Sequence, residues 1–223
     1  MAEQRPVRYR NYQYLFLIVC EDEQIEPTYF EQFKKQIPAK TLFLKTVGTG
    51  RDPQGVVEQA VAERDKLENE SGKEVDIVWA VFDKDDADEN EAKIERFKKA
   101  FETGEQKNIE LAYSNEAFEL WLLLHLTDVD SRNGLSRQTI YQRLEVEIRR
   151  RPGSENFIYE HGSPAIIEKI RSVGDETAAM NRAERLFQKQ HGRPPIEANP
   201  STRVHLLVKK LRESIAYFSW QPG

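Results

Sequence analysis

The longest unbroken apolar stretch near the start of the chain, Tyr14 to Cys20, stops abruptly at Glu21-Asp22-Glu23. An uninterrupted run of this length is the pattern of a strand covered on both faces. A second apolar run, Ile77 to Phe82 within a strand expected over Val75 to Phe82, ends in the same way, on Asp83-Lys84-Asp85-Asp86. Shorter runs at Leu42 to Val47 and at Ile109 to Tyr113 predict two further strands. Helical patterns lie between them. Thr28 to Gln36 places Tyr29, Phe30 and Phe33 on one side, with Pro27 near the first turn. Asp52-Pro53 opens a helix that carries Val56, Val57, Ala60, Val61 and Leu67 at helical spacing; Asp52 is its predicted cap and Gly72 closes it. Residues 89–103 predict an exposed helix with Ile94, Phe97 and Phe101 as its buried stripe. Strands separated by helices of this length predict crossover units and a mainly parallel sheet.

The pattern changes after Tyr113. Ala117 to Leu124 is apolar nearly all round, which predicts a buried helix. From about residue 136 the spacing predicts helices at 136–150, 164–172, 176–191 and 201–218, and no convincing strand. The fold class expected is therefore α/β: a mainly parallel sheet flanked by helices, followed by a helical C-terminal half. Residues 1–125 form the expected α/β core and 126–223 a helical annex packed on it.

Composition narrows the function. The 223 residues are 39% hydrophobic and 32% charged, enough apolar sequence for a core. The single cysteine, Cys20, excludes an internal disulfide and a four-cysteine zinc site. No apolar run approaches the roughly 20 residues needed to span a bilayer. The segment Met1 to Pro6 lacks the apolar core of a signal peptide, so a cytoplasmic protein is expected. The net charge of -5 argues against a general nucleic-acid coat, but it is unevenly spread. Residues 126–223 carry 16 Lys and Arg against 12 Asp and Glu, whereas 1–125 carry 17 against 26. One reading is an acidic half that holds metal beside a mildly basic half that meets phosphates. The other is ordinary variation in a solvated surface.

The acidic strand ends carry the chemistry. A parallel sheet brings both to one edge, where open α/β folds bind their ligands. Carboxylates gathered there repel one another, and a hard cation such as Mg²⁺ relieves the repulsion through oxygen ligands. In an extended loop Asp83 and Asp85 point the same way and reach one ion, while Asp86 and Asp88 add negative charge. The competing reading is a polar loop, or a helix N-terminus enriched in acids. Glu21 follows the first strand directly, placed to bind a second ion or to act as general acid or base on a leaving oxygen. Glu26 remains a candidate, although an acid at a helix start is favoured without any function. Glu119 lies in the apolar helix and needs a cation, a hydrogen-bond partner or a wet opening there. Glu116, one turn earlier, reads as a cap or surface acid, and Trp121 as core. His125 is either a ligand or proton carrier, or the partner of a carbonyl at the helix end. Gly48-Thr49-Gly50-Arg51 resembles a phosphate-cradling turn but lacks the Walker lysine and spacing. Arg149-Arg150-Arg151 and Lys209-Lys210-Arg212 suit a nucleic-acid backbone or a solvated helix face equally. There is no Cys/His cluster for zinc and no nucleophile elbow. A receiver domain shares the strand-end acids, but the helical half and the missing lysine on a fifth strand speak against it. A haloacid-dehalogenase phosphatase carries its Asp pair after the first strand instead.

Several segments, in order along the chain, resemble the RloB-like family, a bacterial group associated with abortive infection and restriction–modification loci. They are Val19-Cys20-Glu21 with Glu26-Pro27-Thr28-Tyr29-Phe30, then Phe82-Asp83-Lys84-Asp85. Ser114-Asn115-Glu116-Ala117-Phe118-Glu119-Leu120-Trp121 running on to His125 follows, and Asn199-Pro200-Ser201-Thr202-Arg203-Val204 ends the series. The third block is the most specific and makes Asn115 and His125 further candidates. The resemblance implies a variant of the topoisomerase–primase (Toprim) fold, with Glu21 as general acid/base and Asp83 and Asp85 as ligands of Mg²⁺ or Mn²⁺. It also implies a partner: family members are often encoded beside an ATPase, as in overcoming-lysogenization-like defence systems, and some related effectors cut tRNA. The chain departs from the pattern at Asp22, which replaces a glycine, at Ile25, where threonine is common, and at Glu116, which replaces a proline. The expectation is a Mg-dependent nuclease of phage defence that cuts RNA or DNA together with an ATPase, without a membrane and with homo-oligomerisation open. The alternative is a non-catalytic regulatory or interaction subunit of such a complex.

Overall fold

The computed structural model describes residues 11–85 and 87–220; segment 1–10, Asp86 and residues 221–223 lie outside the described residues. Within them, β1 (Tyr14–Cys20), β2 (Leu42–Gly48), β3 (Ile77–Asp83), β4 (Glu110–Asn115) and β5 (Ser201–Thr202) form one sheet in the order β2-β1-β3-β4-β5. The first four strands are parallel and β5 is antiparallel to β4. This is the expected α/β class, with a mostly parallel sheet flanked by helices and helices in the C-terminal half.

Side-chain alternation explains how the sheet is covered. Phe16, Ile18 and Cys20 of β1, with Trp79 and Val81 of β3, face one core. Leu17 and Val19, with Val78, Ala80 and Phe82, face the other. Successive residues of a strand point to opposite faces, so a strand buried on both sides must be apolar throughout. The second face is covered by α2 (Pro53–Ser71) and α3 (Glu91–Lys107) through Val56, Val57, Ala60, Phe97 and Ala100. The first face is covered by α1 (Ile25–Glu31), α4 (Glu119–Leu124), α5 (Arg137–Arg149), α6 (Ala165–Val173), α7 (Glu176–Lys189) and α8 (Val204–Ser219). Every residue of α4 is buried. No described helix is long and apolar enough to cross a membrane.

Local chemistry sets the element ends. Asp52 caps α2 by accepting from Gly55 N at 2.9 Å, and Gly72 ends it at φ 72°. The α1 helix starts at Ile25, ahead of the expected Thr28, because Asp22 Oδ1 accepts from Gln24 N and Ile25 N while Glu26 Oε2 accepts from Asp22 N. Such reciprocal pairing satisfies the free amides of a first turn. A 3-10 turn, Gln32–Gln36, continues it.

Ser201 and Thr202 were expected to open a helix; they form β5 instead. Thr202 Oγ1 meets Ser114 Oγ at 3.0 Å, and Arg203 N donates to Tyr113 O at 2.8 Å. Asn199 fastens this segment from below. Its Oδ1 accepts from Leu135 N at 2.9 Å, and its Nδ2 donates to Leu135 O at 3.0 Å and to Glu116 Oε1 at 3.1 Å. Glu116, expected as a cap or surface acid, also takes the ammonium of Lys84 at 2.8 Å, and Lys84 is only 4% exposed.

Replacing Asn199 by Ala removes three hydrogen bonds at about 1 kcal/mol each. The expected result is a loss of about 2–3 kcal/mol, read as a lower urea midpoint with an unchanged slope. Gln188→Ala, on the exposed side of α7, is expected to stay within about 0.5 kcal/mol.

Candidate metal centre

The strand order reverses direction between β1 and β3: the chain steps from β1 outward to β2, then returns to the other side of β1. At such a switch point the loops after the two strands diverge and leave a crevice at their C-terminal ends. Glu21 leaves β1 there and Asp83 ends β3, with the register Cys20↔Val81 bringing the two ends level. Their connection is direct: Glu21 Oε2 accepts from Asp83 N at 2.8 Å.

A glycine turn sets the floor. A Cβ on Gly48 would lie 2.6 Å from Glu23 Cα and 2.8 Å from Asp22 O, so only glycine lets the β2 end pass this close to the acidic loop. Gly50 N donates to Glu21 O and Thr49 Oγ1 to Cys20 O. The turn that resembled a phosphate cradle thus spends its Gly50 amide on holding Glu21.

A cleft of about 540 Å³ opens here. Its wall carries Glu21, Asp22, Glu23, Glu26, Asp52, Asp83, Asp85 and Glu119, against Arg51, Arg137 and His161. Asp83 Oδ2 accepts from Phe118 N at 3.0 Å, and its Oδ1 is enclosed with no hydrogen-bond partner. Asp85 does not follow the extended geometry expected of it. It sits in the left-handed region at φ 46°, in a tight turn closed by Ala87 N to Lys84 O, and its Oδ1 pairs with Arg137 at 3.1 Å. The same turn sends Lys84 inward to Asp88 and Glu116. Glu26 is 1% exposed and Glu119 4% exposed; Glu119 Oε1 accepts from the Tyr159 hydroxyl and lies 3.9 Å from His161 Nδ1.

Burial comes first in the electrostatics. It pushes the Glu21 carboxyl up to about 8, against the hydrogen bond from Asp83 N and with the help of Asp85, Asp52 and Asp22. Burial also raises Asp83, reinforced by Glu26, Glu21, Asp85 and Glu119. Glu26 is raised by burial and by Glu21, and Glu119 by burial against the Tyr159 hydrogen bond. Desolvation acts first on each of the four, and neighbouring acids add to the rise.

Two candidates from the sequence stand elsewhere. His125 Nδ1 donates to Trp121 O at 2.9 Å beneath the helices, and burial lowers its pKa. Asn115 Nδ2 donates to Pro195 O at 3.0 Å. Neither lines the cleft. The helical half supplies residues that spacing alone did not single out: Arg137 and Tyr141 from α5, and Tyr159 and His161 from the following loop. Asp52, read as a cap, also reaches the cleft and pairs with Arg96 at 2.9 Å.

The donor set suits a hard divalent cation: carboxylate oxygens only, one of them buried and unpartnered. As the side chains stand, no three His, Cys, Asp or Glu residues among those described come together around one point that could hold an ion. Glu21 Oε2 is turned to the Asp83 amide and Asp85 Oδ1 to Arg137.

Set against known proteins, the chain matches a family model described as RloB-like protein over residues 16–211. No curated protein and no solved structure matches it.

The raised carboxyls set a pH dependence. A group whose folded pKa lies above its unfolded value stabilises the fold below the unfolded pKa and loses that contribution as pH rises through the folded one. For Glu21 the window runs from about 4.5 to about 8. The melting temperature in EDTA is expected to fall between pH 5 and pH 8.5, and Glu21→Gln to flatten the fall. Each kcal/mol corresponds to about 2–4 °C in a chain of this size, measurable by calorimetry.

Proposed function

As the chain belongs to the RloB-like family, we propose that it is a Toprim-like, divalent-metal-dependent nuclease. One observation carries the reading. Five carboxyls, from the ends of β1 and β3 and from α1 and α4, share one cleft at the switch point, each raised or opposed by the others. A fold keeps such a cluster against its own repulsion where the charge is used.

Asp83 and Asp85 are the proposed ligands of Mg²⁺ or Mn²⁺, with Glu21 shared between a ligand and a proton-transfer role. The ion, when bound, neutralises charge on a phosphate and makes a bound water more acidic. Glu21, whose carboxyl burial pushes up to about 8 in the metal-free protein, is the acid proposed to exchange a proton with a leaving oxygen. Phe118 N fixes Asp83, and Tyr159 fixes Glu119. Arg137 covers the charge of Asp85 until a cation replaces it. The wider setting, cytoplasmic phage defence beside an ATPase encoded nearby with RNA, tRNA or DNA as target, is supported by the family resemblance.

A second reading draws on the occupied state of these side chains. With Glu21 and Asp85 engaged by the protein itself, the chain suits a regulatory subunit of an ATPase complex that never binds metal. It predicts no metal-dependent cleavage even in the assembled complex.

The test is incubation with RNA, tRNA, single-stranded DNA and duplex DNA in Mg²⁺ or Mn²⁺, with and without the ATPase. Cleavage by the wild type is expected to fall at least about 100-fold in Asp83→Asn and in Glu21→Gln. Rates unchanged in both variants end the nuclease reading.

A further inference from the structure

The acidic cleft poses a problem for any polyanionic substrate. Acidic side chains on its wall outnumber Arg51 and Arg137, so basic charge on the protein does little to hold a phosphate backbone here. A contact that does not depend on charge therefore adds to recognition at this site. The helical half supplies one at the cleft wall. Tyr141 of α5 lies between two other rings: its centroid is 5.0 Å from Tyr159 at 33° and 5.2 Å from His161 at 34°. The three form a tilted stack rather than the edge-on contacts of the nearby core, such as Tyr29 against Trp121 at 88°.

The stack is anchored at one end and exposed at the other. Tyr159 donates its hydroxyl to the buried Glu119, and its backbone N–H to Glu145 Oε2 at 2.8 Å. His161 leaves 69% of its side chain exposed. Gly162 follows at φ 78°, a left-handed turn that lines the same cleft. Arg137 stands one helical turn before Tyr141 and lines the same cleft.

We infer that the His161–Tyr141–Tyr159 stack is a platform for one unpaired nucleobase, which makes single-stranded nucleic acid the substrate class of this cleft. The inference rests on the nuclease reading for its site but concerns binding, which is measured without cleavage. An unpaired base lays its π face on the exposed ring, and such stacking tolerates any base. It works without net charge, so it does not depend on basic side chains. A base within a duplex already has neighbours on both faces and cannot do the same.

The experiment uses the full chain in EDTA with oligonucleotides carrying 2-aminopurine, whose emission is quenched by stacking. Single-stranded RNA and single-stranded DNA are titrated separately, beside a blunt duplex of the same sequence. Quenching is expected with one or both single strands and not with the duplex. His161→Ala is expected to weaken binding about tenfold, whereas His161→Phe, which keeps a ring, stays near wild type. The exposed position of His161 leaves folding intact in both variants, checked by circular dichroism. Absence of quenching with either single strand, equal quenching by the duplex, or wild-type affinity in His161→Ala overturns the platform. The two readings separate cleanly. Quenching without cleavage in Mg²⁺ or Mn²⁺ keeps the platform and removes the nuclease. Cleavage that depends on Asp83 but binds equally in His161→Ala does the reverse.

Discussion

Desolvation of a group of neighbouring carboxyls, sharpened by their mutual repulsion, is the constraint around which this molecule is arranged. Glu21, Glu26, Asp83 and Glu119 are withdrawn from bulk water, and Asp85 stands beside them. Charges in such a place cost several kcal/mol each unless paired or neutralised. The protein meets this cost with backbone donors: Asp83 N to Glu21, Phe118 N to Asp83 and Asp22 N to Glu26. It adds one hydroxyl, from Tyr159, and one cation, Arg137. Among the described residues, the fully enclosed carboxyl oxygen of the cluster without a partner is Asp83 Oδ1. Such an arrangement is a local cost that the rest of the fold must outweigh.

The counterweight is the sheet and its two cores. Strands buried on both faces put large apolar area behind the cluster, and parallel pairing levels the ends of β1 and β3. The helical half takes part in three ways. It covers one face of the sheet, adds β5 beside β4, and lines the cleft with Arg137, Tyr141 and His161, while Tyr159 holds Glu119. The last segment shared with the RloB-like family acts in the second of these roles. Asn199 and Thr202 bind Leu135, Glu116 and Ser114, behind the site rather than in it.

The elements that could be read from the chain are those whose pattern is local. The bounds of β1 were legible to the residue because an apolar run meets an acidic one. The α2 helix was legible from a capped start and a glycine stop. The burial of α4 was legible because it has almost no polar face. Misread elements were those held by distant partners. Ser201 and Thr202 carry no strand pattern and are a strand only because Ser114 and Tyr113 lie opposite. Asp85 turns into the left-handed region within contacts to Glu116 and Arg137 that adjacent sequence does not announce. Lys84 looks like an ordinary loop lysine until Glu116 and Asp88 enclose it.

The site divides along the same line. Its acids at 21, 83 and 85 were visible because strand ends collect at one edge of a parallel sheet, a consequence of topology that hydrophobic patterning already implies. Glu119 was visible because a carboxylate in an apolar helix demands a partner. The identity of that partner was not, since Tyr159 is forty residues away and sits in a loop without periodicity. His125 and Asn115 had the right residue types in the right block, yet their partners are carbonyls. A one-dimensional pattern reports which groups are costly to bury; only three-dimensional packing decides which neighbours meet that cost, because hydrogen bonds and ring contacts form between surfaces that the chain brings together after long excursions.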